Sequence, residues 1–170
     1  MSVTRSTSLL LFALLAGCAK PTPFPQVLVK AGSADELAAF RAHLQDQFAA
    51  EQVRDFDTAT KELQLEAMNR GVKAAADREA DMLRVIDGKT IRDALIAGWQ
   101  ARHRRLVGEI KQITDLLGAD LKARDRAAAA GRGPSADVET HLQNEQEIIG
   151  RLKRDLADTD QQLAAWSAKP

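Results

Sequence analysis

Apolar positions recur along this chain at steps of three and four, the period of one helix face. After Ser33, the residues Leu37, Phe40, Leu44 and Phe48 form a first stripe. Val53, Phe56 and Leu63 continue it after a shift of phase, and from Leu65 the series Met68, Val72, Ala75, Glu79, Met82 and Ile86 alternates steps of three and four. Ser33-Ala34-Asp35-Glu36 has the form of a capping box, in which the serine hydroxyl and the glutamate carboxylate satisfy backbone N–H groups at a helix start. Gly71, after Asn69-Arg70, costs about 1 kcal/mol against alanine inside a helix and offers a C-cap. The phase nevertheless passes through it, so the pattern predicts one helix over 34–86, with a break near Gly71 as the alternative.

Asp87-Gly88-Lys89-Thr90 reads as a turn, with Thr90 capping the next helix and Asp93 three residues on. That second helix is predicted over 90–129. Its stripe is Ile96, Trp99, His103, Leu106, Ile110, Ile113, Leu117 and Asp120, a heptad seam. Gly131-Arg132-Gly133-Pro134-Ser135 ends it, because the glycines release the backbone, the proline cannot continue a helix and the serine caps a third helix. That third helix, over 136–166, has the cleanest pattern: Val138, Leu142, Glu145, Ile149, Leu152, Leu156, Thr159, Leu163 and Trp166.

A loop this short leaves the last two helices antiparallel neighbours. Folding them about residue 132 or 133 makes facing positions sum to about 265. Trp99 then faces Trp166, Leu106 faces Thr159, Ile113 faces Leu152 and Leu117 faces Ile149. Asp120 falls near Glu145, an unfavourable pair unless wet or shielded by Lys122 or Arg124. The predicted architecture is all-α, an antiparallel long-helix hairpin completed to a three-helix bundle with coiled-coil character. An unbroken first helix would be ~80 Å long and would outrun its partners. Phe40, Leu44 and Phe48 would be left short of cover, to be relieved by folding back or by a partner chain.

Composition supports helices over strands: tyrosine is absent and aromatic residues make up only 4% of the chain. The 24 basic and 24 acidic residues balance, so no electrostatic case for nucleic acid arises. Candidate chemistry is sparse. His43, His103 and His141 form no metal-ligand pair by spacing. His141 and Glu145 share a helix face and read as a surface or seam pair, and His103 reads as a half-buried seam residue opposite Leu163. Gly88-Lys89-Thr90 lacks the upstream glycine and strand of a phosphate loop. Arg102-His103-Arg104-Arg105 is a basic cluster, read as a solvated helix face, with lipid headgroups or partner carboxylates as the alternative. Trp99 and Trp166 read as a packed pair. No catalytic triad, nucleotide loop, cofactor site or small-molecule site is foreshadowed, and no enzymatic activity is expected.

The first 17 residues read as an export signal: Arg5 gives the positive start, and Leu9 to Ala16 is an apolar run far shorter than the ~20 residues that span a bilayer. Leu15-Ala16-Gly17-Cys18 resembles the lipobox of bacterial lipoproteins. The resemblance implies a diacylglyceryl group on the thiol of Cys18, the chain's single cysteine, cleavage just before it, and acylation of the new amino terminus. Ala19 in the following position implies sorting to the outer membrane, facing the periplasm. Residues 18–32, with Pro21, Pro23 and Pro25, then read as an extended tether, within which Gln26 to Val29 packs on the body or lies near headgroups, with a short strand as the alternative. Residues 33–170 form the helical bundle.

These features give an expectation of a lipid-anchored helical envelope protein. It would act as a scaffold, spacer or accessory subunit through a protein partner or self-association, with Phe40, Leu44 and Phe48 as the contact. A pilotin-like or exclusion-type accessory lipoprotein of a secretion or conjugation system, gripping an amphipathic segment in a groove, is the alternative.

Overall fold

The computed structural model of the protein describes residues 22–133 and 135–168. The export signal, Cys18 and the first part of the tether lie outside the described residues. Five α-helices follow in order: α1 Ala34–Gln47, α2 Ala50–Asn69, α3 Ala75–Ile86, α4 Ile91–Ala129 and α5 Ala136–Ala168. Among the described residues the one β-type feature is an isolated antiparallel bridge between Leu28 and Thr90. No described helix is long and apolar enough to cross a membrane.

The single helix expected over 34–86 is corrected to three. The first break falls at Phe48, where the backbone is extended and where the apolar stripe changes phase. Gln52 Oε1 accepts the N–H of Ala49 and starts α2. The second break is at Gly71, whose φ of 89° an L-residue adopts only at a cost of about 1–2 kcal/mol. Val72 N–H donates to Ala67 O and Gly71 N–H to Met68 O, the paired bonds of a Schellman C-cap. Arg78 Nη1 then donates to the carbonyls of Val72 and Lys73. Periodicity alone does not report such a stop, because α3 resumes near the phase that α2 left.

The reading of residues 18–32 as a spacer is corrected in part, while the packing of Gln26 to Val29 on the body holds. From Phe24 onward it is docked, since Phe24, Val29 and Ala31 are buried in the core. Val29 N–H donates to Lys89 O, Gly88 N–H to Val29 O and Ile91 N–H to Val27 O. Ala31 N–H donates to Asp87 Oδ1. The extended stretch thus uses the α3–α4 turn to satisfy its backbone, and its apolar side chains close that end of the bundle.

Phe40 and Leu44, expected short of cover, are buried, and Phe48 packs against the same core. The break at Phe48 lets α1 fold back, so that Phe40 meets Phe56 edge-on at 5.9 Å and Phe48 meets Phe24 at 5.1 Å. Their expected role as an exposed partner contact is therefore corrected: these side chains hold the fold.

Ala59 lies against Gly98, Glu62 pairs with Arg105, and Glu66 pairs with Arg104. The α4 partner stays roughly 40 residues ahead of its α2 residue in each pair, so α2 and α4 run the same way, with α3 returning between them and α5 descending along α4. The core cluster takes α4 residues Ile91 to Ala101 and, from α5, Trp166. α2 ends one turn beyond Glu66. From there α4 continues for about 30 Å at 1.5 Å per residue with α5 alone beside it.

The predicted antiparallel pairing of that hairpin holds, and its ion pairs fall within about one helical turn of the expected facing positions. His103 meets Asp160, Asp120 meets His141, and Arg124 meets Glu139. On α5 the buried residues are Leu142, Glu145, Ile149, Thr159 and Trp166, five members of the predicted seam. Val138, its first member, is exposed, because α4 is ending opposite it.

Candidate functional site

The projecting α4–α5 hairpin carries the features that the core does not explain. With α5 alone beside distal α4, the seam is closed at Leu142 and Ile149 but not along its whole length. Ile110, Ile113, Leu117 and Leu121 on α4, with Ile148, Leu152 and Leu156 on α5, remain half-buried. Nearer the body, the same positions are closed by α2, and Leu106 is 2% exposed.

The tip is built by local chemistry. Gly131, at φ 78°, ends α4 as Gly71 ends α2: Arg132 N–H donates to Ala127 O and Gly131 N–H to Ala128 O. Ser135 Oγ accepts the N–H of Val138 at the start of α5. Two turns of α5 below the tip, His141 Nε2 stands 3.2 Å from Asp120 Oδ2 and 3.5 Å from Glu145 Oε1. One ligand-type atom from each of the three residues lies within 4.8 Å of the others. Glu145 is 7% exposed, and its Oε2 has no hydrogen-bond partner. A cavity of about 540 Å³ opens beside the group, bordered by Asp120, Arg124, His141 and Leu142.

The meeting of Asp120 with Glu145 follows the expected register, but its shield does not. The expected Arg124 pairs with Asp125 and Glu139, and the group between the carboxylates is His141. Spacing along one helix hid this cluster, because Asp120 comes from the other. The facing rule that put Asp120 beside Glu145 also brings it beside His141, one turn away on the same face.

The basic cluster of α4 is engaged within the chain. Arg105 donates Nε and Nη2 to the Glu62 carboxylate and Nη1 to Glu109. Arg104 Nε donates to Glu66 at 2.6 Å. Arg102 lies 3.7 Å from Glu62 and over the Trp99 ring. Burial lowers the affinity of Arg105 for its proton, but the hydrogen bonds and charges of Glu109 and Glu62 outweigh it, and its pKa lies above the ordinary arginine value. The carboxylates that engage this cluster are Glu62 and Glu66 on α2 and Glu109 on α4. Trp99 and Trp166 are both buried in the core cluster. His103 is half-exposed beside Asp160.

No family model, curated protein or solved structure matches this chain. The functional reading therefore rests on the residues and their arrangement.

Proposed function

We propose that the mature chain is a lipid-anchored helical protein of the bacterial cell envelope. It would work through protein–protein contacts as a scaffold, spacer or accessory subunit, anchored through Cys18 in the outer membrane and facing the periplasm. The observation that carries the reading is the position of the docked amino-terminal segment at the opposite end of the molecule from the hairpin tip. Phe24, the first buried residue described, is six residues from Cys18. That length spans about 20 Å at most, so a lipid on Cys18 would hold the body close to the bilayer. Ile91, at the start of α4, is hydrogen-bonded to Val27 of that segment, and the 39 residues of α4 reach about 58 Å from there. The tip of the hairpin would stand far from the anchor, with its half-covered seam offered to a partner helix.

Two measurements test this in cells. Metabolic labelling with a fatty acid should mark the wild-type chain and not Cys18→Ser; equal labelling would remove the anchor. A photo-crosslinking side chain at Leu116, exposed on distal α4, should give a discrete adduct, whereas one at exposed Val85 on α3 should give none. Adducts from Val85 alone would move the contact from the hairpin to the body.

A further inference from the structure

We propose that Asp120, His141 and Glu145 form a binding site for a divalent transition-metal ion of the zinc type, clipping α4 to α5 within the projecting hairpin. The donor set is one imidazole nitrogen and two carboxylates, which suits zinc and its neighbours in the first transition row. His141 and Glu145 are one helical turn apart on α5, and Asp120 faces them from α4. The site is thus a two-point chelate on one helix closed by a third ligand from the other.

The separations from His141 are compatible with coordination of one ion, and all three ligand atoms lie within 4.8 Å of one another. Around a tetrahedral ion with metal–ligand bonds near 2.1 Å, donor atoms lie about 3.4 Å apart. His141 Nε2 is 3.2 Å from Asp120 Oδ2 and 3.5 Å from Glu145 Oε1. The second separation is long for a hydrogen bond.

An independent observation points the same way. Glu145 is more than nine-tenths buried, and its Oε2 is without a hydrogen-bond partner. A buried carboxylate left half-unsatisfied beside a second carboxylate is costly unless a cation joins it. The nearby guanidinium of Arg124 is engaged by Asp125 and Glu139. The rival cation is a proton on His141, making an imidazolium bridge instead of a metal centre. Three protein ligands would leave a fourth position open toward the adjoining cavity of about 540 Å³, where water or a partner's side chain would complete the shell. This inference is independent of the envelope reading.

The test is calorimetric titration of the full chain, purified in mild detergent, with Zn²⁺ at neutral pH. Visible absorption with Co²⁺ serves as a second readout. One ion should bind per chain. Magnesium should not compete, and binding should weaken on acidification as protons compete with the metal for its ligands. Glu145→Gln and His141→Ala should each lower affinity by at least about tenfold, whereas His43→Ala and His103→Ala should leave it unchanged. At a hundredfold excess over Kd the metal should raise Tm by roughly 5–10 °C. Circular dichroism checks that the variants keep their helix content. If Glu145→Gln does not fold, Asp120→Asn at the more exposed edge of the cluster replaces it, with the same loss expected. Zinc binding that survives in His141→Ala, or no binding up to about 100 μM zinc, would overturn the proposal and leave the imidazolium bridge as the account of the cluster.

Discussion

Gly98 on α4 and Ala59 on α2 touch backbone to backbone. A Cβ built on Gly98 would fall 2.5 Å from the carbonyl oxygen of Ala59, and closer still to its Cα and Cβ. This is where α2 crosses α4, and the missing side chain lets the two helices approach to the depth that buries Phe56, Leu63 and Leu95. Alanine at position 98 would gain up to about 1 kcal/mol of helix propensity. The atoms it would meet are main chain or one bond from it, so the helices themselves must move apart. Overpacking of this kind costs about 1–3 kcal/mol, and Gly98→Ala should lower Tm by several degrees. A Tm equal to or above that of the wild type would show that the crossing has slack.

The same pair shows what the sequence leaves unread. A glycine within an otherwise helical pattern gives no notice of whether it ends the helix, as Gly71 does, or admits a neighbour, as Gly98 does. The distinction is tertiary. The α5 seam was legible from Leu142 to Trp166 because one partner helix imposes one period on it. Residues 34–86 were not, because α1 to α3 each face a different neighbour and a continuous stripe does not report where the chain reverses. The change of phase between Phe48 and Val53 was the available sign of the first break. The docking of Phe24 and Val29 had no periodic signal, and three prolines argued for a spacer. At the candidate site, register placed Asp120 beside Glu145, but the unsatisfied Glu145 oxygen is a property of the folded chain alone.

Glu62 anchors the face that α2 turns to α4. Its side chain is 7% exposed and that of Arg105 is 17% exposed, and the guanidinium grips the carboxylate through Nε and Nη2. Glu62→Ala would leave Arg105 with Glu109 as its remaining partner and Arg102 without its carboxylate, a loss of about 3 kcal/mol in urea denaturation. Replacing both Glu62 and Arg105 by leucine should restore part of that stability, since it removes the more buried of the two orphaned charges and leaves only Arg102 without its carboxylate. Because folding raises the pKa of Arg105, the guanidinium's contribution is complete below the ordinary arginine pKa and is lost only as pH rises through the folded value. Arg105 should therefore add no slope to stability between pH 7 and 10. A double variant no more stable than Glu62→Ala would contradict the assignment.

Arg92 closes the far end of α5. Its Nε donates to Trp166 O at 3.0 Å and its Nη2 to Ser167 O at 2.9 Å. The last carbonyls of a helix lack partners within it and carry its negative end, so a forked cation from α4 both satisfies and neutralises them. Arg92→Ala should cost about 1–2 kcal/mol and speed amide exchange across the last turns of α5. Arg92→Lys should recover little, because a single ammonium cannot span two successive carbonyls as the guanidinium does. Unchanged exchange near the carboxyl end of α5 in Arg92→Ala would mean that burial of Trp166 alone secures it.

Phe24 is the first buried residue described after Cys18. It is 3% exposed and meets Phe48 edge-on, while the residues after it are bonded to the α3–α4 turn. Phe24→Ala would remove a buried ring at a cost of about 3 kcal/mol if the segment stayed docked. If the segment released instead, the chain between Cys18 and Ala34 would become 16 residues of slack, able to span roughly 55 Å. The two responses separate experimentally. Loss of Tm with Lys30 no more open to trypsin means a docked segment over a cavity. A smaller loss of Tm with rapid cleavage after Lys30 means release, and the proposed anchor on Cys18 would then leave the body on a long leash. Wild-type Tm together with wild-type cleavage would show that Phe24 does not hold the segment, and the short leash proposed for the anchor would fail with it.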